Sequence, residues 1–185
     1  MSILQKFFSF CHSFPSLLNQ PEEGAIQKSS LKKFFCQWPF FWLLSFVFLL
    51  YFSFYTSPLF QTPNVRNDNS MFLTIGLGMV HGKKLYVDIW DNKGPLFFLF
   101  QAFGQFLCPG KTGIFLLQTF FFSFTLQFFW MLARLFAGVK ISLFAMAVLF
   151  IGLCRTLELG NQCEEISLLF VIIPLYAVGP ENWTT

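Results

Sequence analysis

Long uncharged apolar runs alternate with short polar islands, and that alternation lays out the chain. The first run, residues 38–56 (WPFFWLLSFVFLLYFSFYT), has nineteen residues without a charge. As a helix it reaches about 28 Å, close to the thickness of a bilayer core. Trp38 and Trp42 stand at one end and Tyr51 and Tyr55 at the other, the placement that interfacial aromatics take. Further apolar runs follow at 95–108, 113–133, 141–153 and 166–178, with Gly110, Gly138 and Gly160 as punctuation. The second of these is long enough to span. The other three, of 13 or 14 residues, must tilt, thin the bilayer or insert only in part.

The polar island at 57–94 opens with turn formers, Pro58, Pro63, Asn64 and Asn67. Asn67 or Asp68 suits a helix cap. Phe72, Ile75, Met79 and Val80 then recur at three- and four-residue steps, which predicts an amphipathic helix of about three turns. Gly82 suits its left-handed end. This helix is expected to lie along the outer membrane surface. Pro95 suits the first position of the next helix.

Composition agrees with the pattern. Charged residues make up 11% and hydrophobic ones 55%, too few charges to cover a soluble domain of this size. The mean hydropathy of +0.61 points to a membrane protein. A net charge of +3 is too small to argue for nucleic acid. The 30 phenylalanines fit lipid-facing packing, and fit equally the codon drift of an AT-rich genome. Lys28, Lys32 and Lys33 precede the first run, so by the positive-inside rule residues 1–37 form a cytoplasmic tail and 57–94 an outer loop. The first run lies too deep in the chain for a cleaved signal and reads as a signal anchor. Residues 3–14 are apolar but short, and fit either an interfacial stretch or a tail. Cys11, Cys36, Cys108, Cys154 and Cys163 show no metal-ligand spacing and read as small apolar filler. His12 and His81 have no companions at ligand spacing. Asn182-Trp183-Thr184 fits a glycosylation sequon, a match short enough to arise by chance.

Candidate chemistry concentrates in the outer loop. Asp68 precedes the amphipathic helix, and HGKKLYVDIWDNKGPL then brings Asp88, Asp91 and Lys93 close together before the next apolar run. A lysine at that depth can meet a lipid phosphate, and a carboxylate there can take a proton from a hydroxyl acceptor. The bland alternatives are a helix cap for Asp68, a solvated turn for Asp88 and Asp91, and a snorkelling side chain for Lys93. Glu164 and Glu165, adjacent acids between apolar runs, need water or a partner.

The run from Asp68 to Gly94 resembles the first outer loop of bacterial GT-C glycosyltransferases. These are polytopic membrane enzymes related to protein O-mannosyltransferases and the lipid A aminoarabinose transferase. That loop reads as an Asp, an amphipathic surface helix, then G-x-x-x-Y-x-D-x-x-D-x-K-x-P. Gly82, Tyr86, Asp88, Asp91, Lys93 and Pro95 match it. Gly160-Asn161 followed by Glu164-Glu165 is similar to a second motif, with Gln162-Cys163 where the family has Leu-Thr. The resemblance covers residues 38–178. It implies an all-α polytopic integral membrane protein with an amphipathic outer loop. The reaction it implies is transfer of a sugar from a polyprenyl-phosphate donor to an extracytoplasmic acceptor. Asp68 would be the general base of an inverting transfer, and Lys93 would meet the donor phosphate. Asp88 and Asp91 would belong to the substrate-binding loop, and Glu164 or Glu165 would position the acceptor or a divalent metal ion, the one cofactor left open. Family members run to several hundred residues, so the resemblance also implies an N-terminal fragment with 180–185 as its short tail. The alternative is a non-catalytic membrane protein, a remnant or a subunit that packs with a partner.

Two topologies follow. If the runs at 95–108, 113–133 and 141–153 all span, Glu164 and Glu165 fall opposite Asp68. If 95–108 is re-entrant, they join Asp68 outside, Arg134 and Lys140 become cytoplasmic, and Lys111 stays outside.

Overall fold

The computed structural model describes residues 29–53, 55–59, 67–156 and 160–178. Residues 3–14 and the sequon at Asn182 therefore lie outside the described residues. Within them the protein is all-α, with six helices and, in place of strands, a single isolated bridge between Leu85 and Ile89. The helices are α1 (Ser29–Phe52), α2 (Asn67–Val80), α3 (Pro95–Leu107), α4 (Lys111–Phe136), α5 (Val139–Thr156) and α6 (Cys163–Val178). Each apolar run of the sequence has become a helix. Residues 34–52 of α1 and the whole of α4 are long and apolar enough to cross a membrane; α3 and α5 are shorter apolar helices.

The long helices α1 and α4 are antiparallel. At one end the Gln127 amide donates to the Phe34 carbonyl. At the other, Thr56 donates to Gln118 and the Lys111 ammonium sits 4.3 Å above the Tyr55 ring. Their seam is aromatic: Phe48 stacks on Phe122, and the Trp38 indole, besides packing on Phe120 and Phe124, donates to Ser123. Helix α5 returns along them, with Phe150 against Phe48 and Phe122. Helix α6 runs parallel to α4, joined to it by Gln118–Glu165 near its start and Phe128–Tyr176 further on.

Helix α3 does not run the length of this bundle. It begins two residues after Lys93, which reaches Cys163 at the start of α6, and it ends four residues before Lys111, which covers Tyr55. Both of its ends therefore lie toward the end of the bundle where α4 starts. The corner into α4 is tight. Gly104 and Gly113 touch so closely that a Cβ on Gly113 would stand 2.0 Å from the Gly104 carbonyl oxygen. Both the N–H and the C=O of Gly110 bond to the Gln105 side chain, which pins the turn.

Part of the stripe expected on α2 is covered by a helix, Met79 only partly, while Val80 stays exposed. Phe72 and Ile75 are buried, and Phe72 meets Phe97 of α3 edge-on at 4.8 Å. Helix-on-helix packing buries more of that stripe than a flat membrane surface would, which explains why α2 docks on α3. Two cores result: one of α1, α4 and α5, and one of α2, α3, the first turns of α4 and the start of α6.

Candidate functional site

The outer loop is held by its own backbone and short polar side chains. Helix α2 ends in a Schellman motif: Gly82 has φ +85°, its N–H bonds to the Met79 carbonyl, and the Lys83 N–H bonds to Gly78. Residues 84–93 then fold into a compact knuckle. The Asp88 carboxylate accepts the Lys84 N–H (2.8 Å) and the Asp91 carboxylate accepts the Lys93 N–H (2.9 Å). The Tyr86 hydroxyl donates to the Lys93 carbonyl (2.6 Å). Asp88 is exposed and Asp91 buried. In this conformation both acids and Tyr86 shape the turn that presents Lys93.

Lys93 is half-buried, and it and Glu164 both reach the Cys163 thiol. Burial pushes that thiol up from its ordinary pKa; Glu164 adds to the effect and Lys93 opposes it. Glu164 is exposed in the first turn of α6. Asp68 is exposed in the first turn of α2. Its neighbour Asn69 is fully buried and accepts a hydrogen bond from the Gln162 side chain (3.1 Å). That bond ties the start of α2 to the start of α6, 93 residues later. Asp68, Lys93, Glu164 and Glu165 thus come from three chain segments that meet at the same end of the bundle.

Glu165 differs from its neighbour. It is buried, and one carboxylate oxygen accepts the Gln162 N–H, the N-terminal half of a capping box. The other accepts the Gln118 amide (2.5 Å), whose oxygen accepts from Thr56, which is in turn bonded to Ser53. Gly160, at φ +88°, lets the 160–162 turn pass over Ser53, where a Cβ would meet the Ser53 hydroxyl at 1.9 Å. Removal from water pushes the Glu165 carboxyl up to about 7, against the pull of hydrogen bonds from Gln118, Gln162 and Asn161.

A second layer of amides lies alongside. Gln101 of α3 donates to Asn161 across 60 residues of chain. Among the described residues Asn69 Nδ2, Gln101 Oε1 and Asn161 Nδ2 are buried with no protein partner. Of these amides only Asn161 belongs to the motifs above; Asn69 and Gln101, like Gln118, Thr56 and Ser53, have no place in them. One signal in the sequence marks two of these residues: Gln101 and Gln118 interrupt otherwise apolar runs, where a polar side chain must find a partner.

Among the described residues no three His, Cys, Asp or Glu side chains gather as metal ligands would. They offer no ready donor set for the divalent metal that the resemblance left open. No family model, curated protein or solved structure matches the chain.

Proposed function

We propose that this chain is a multi-pass cell-membrane glycosyltransferase that transfers a sugar from a polyprenyl-phosphate donor to an acceptor outside the cell. One observation carries the reading. The motif residues Asp68, Lys93 and Glu164, far apart in sequence, belong to segments joined at one end of the bundle by the Asn69–Gln162 bond and the contact of Lys93 with Cys163. Charge supports the orientation. Lys32 and Lys33 begin α1, and Arg134 and Lys140 lie at the α4–α5 corner, all at the end away from this cluster. Helices α1, α4 and α5 and residues 166–178 then cross the bilayer, and α3 dips into its outer leaflet.

In the proposed reaction the acceptor hydroxyl attacks the anomeric carbon as the bond to the donor phosphate breaks. Asp68, exposed at the start of α2, takes the hydroxyl proton. Lys93 meets the charge left on the phosphate. Glu164 faces the acceptor. Glu165, buried and committed to Gln118 and Gln162, holds the frame.

The test is sugar transfer from a radiolabelled polyprenyl-phosphate donor in membrane vesicles. Asp68→Asn keeps the size of the side chain and removes the proton acceptor, so transfer should fall by about 10²-fold or more with membrane insertion unchanged. Near-normal transfer by that variant would reduce Asp68 to a helix cap.

A further inference from the structure

The knuckle that follows α2 turns two of its apolar side chains outward. Leu85 and Ile89, the bridged pair, point in: both pack on the core of α2 and α3, and Ile89 lies against Gly78. Between and after them, Val87 is 77% exposed and Trp90 75% exposed. This outward presentation is fixed by the fold. Four backbone hydrogen bonds close residues 84–89, Asp88 ties back to Lys84, and the Tyr86 hydroxyl anchors the knuckle to Lys93. An ordered turn that spends its inward positions on leucine and isoleucine and its outward ones on valine and tryptophan is built to meet a second apolar phase.

The surroundings say which phase. Lys83 and Lys84, both exposed, stand at the base of the knuckle. A few residues on, Pro95 opens the apolar helix α3, whose Leu96, Leu99 and Phe103 are also exposed along one stripe. Tryptophan favours the boundary between headgroups and acyl chains, and paired lysines favour anionic headgroups. We propose that the 84–90 knuckle is a membrane-seating element: Val87 and Trp90 enter the interfacial layer of the bilayer while Lys83 and Lys84 contact anionic lipid headgroups. The seat holds the loop that carries Lys93 at a constant depth relative to lipid phosphates. This rests on the membrane reading above.

The experiment is spin-label accessibility on the full chain in nanodiscs of phosphatidylcholine with a minority of phosphatidylglycerol. Val87→Cys is labelled in a background with native cysteines replaced, and Phe120→Cys, on an exposed position of α4, serves as the membrane control. The label at 87 should be relaxed more by oxygen, which partitions into lipid, than by a water-soluble nickel chelate. Lys83→Glu with Lys84→Glu should shift it toward the chelate when phosphatidylglycerol is present, and an unchanged label would overturn the headgroup contact. Oxygen accessibility at 120 with chelate accessibility at 87 would overturn the seat and leave the membrane reading standing. Chelate accessibility at both would overturn both. A second measurement keeps the native cysteines. Trp90→Phe should remove emission that lipids brominated near the headgroup quench; removal of emission quenched by aqueous iodide would overturn the proposal.

Discussion

Glu165 is a carboxylate held among neutral partners. Gln118 and the backbone of the 161–162 turn donate to it, Glu164 is its charged neighbour in the same turn, and burial outweighs these hydrogen bonds. Its carboxyl therefore titrates near 7 in the folded protein, against an ordinary 4.5. The folded state holds this proton more tightly than the unfolded chain does. Its contribution is full below about pH 4.5 and falls as pH rises toward 7, by up to about 3 kcal/mol. Unfolding in detergent between pH 5 and 8 should show stability decreasing with pH, and Glu165→Gln should flatten that slope. A parent protein with no loss of stability across the range would contradict this state of Glu165. The adjacent acids in the sequence marked this place as costly, but they gave no means of telling the buried Glu165 from the exposed Glu164. The difference comes from Gln118, 47 residues earlier, and no local pattern encodes that pairing. Asn69 illustrates the same limit. It reads as one more polar residue beside a helix cap, yet it is fully buried against Gln162.

The presence and order of the helices were legible, because they follow rules of short range. The bounds of α1 were not: it begins at Ser29, nine residues before the uncharged run that marked it, and ends at Phe52, four residues before that run does. Hydropathy marks α1 and the four later helices, Pro95 starts α3, and Gly82 ends α2 through its positive φ. What the runs could not reveal is which helix covers which. The stripe of α2 has the same spacing whether lipid or α3 lies against it, and the choice of α3 depends on Phe97 and Phe98 arriving from another segment. The α3–α4 corner gives the element-scale prediction. Gly113→Ala would set a methyl 2.0 Å from the Gly104 carbonyl oxygen and 2.5 Å from that of Cys108, and backbone cannot give way as a side chain end can. The variant should lose roughly 1–3 kcal/mol, seen as a lower unfolding midpoint in detergent. Gly138→Ala, at a position with open space around it, is the control and should lose much less from contact. Equal midpoints for Gly113→Ala and the parent would mean that α3 and α4 do not meet so closely.

At the scale of the whole molecule, the buried amide network and the candidate acids gather toward one end, while Lys32, Lys33, Arg134 and Lys140 lie at the other. The amide pairs, the Glu165 network, Lys93 and the first turns of α2 and α6 share the first of these ends, while the aromatic seam of α1, α4 and α5 fills the rest. Sequence reading left two membrane topologies open, because the length of the 95–108 run fits both. Lys93 at Cys163 and Lys111 at Tyr55 keep both ends of α3 toward the end of the bundle where α4 starts, and on that ground we propose the re-entrant alternative. The proposed donor site follows from the same gathering, with Lys93 as the cation that faces a lipid-linked phosphate. The most direct test is the affinity of the purified chain, in nanodiscs, for a non-hydrolysable polyprenyl-phosphate sugar analogue. The parent should bind it saturably. Lys93→Ala should weaken binding by roughly tenfold to a hundredfold, the scale of one charge-assisted contact, and Lys93→Arg should recover only part of the loss. If the parent fails to bind, or the Ala variant binds as tightly as the parent, the donor phosphate is not held at Lys93 and the proposed site is wrong.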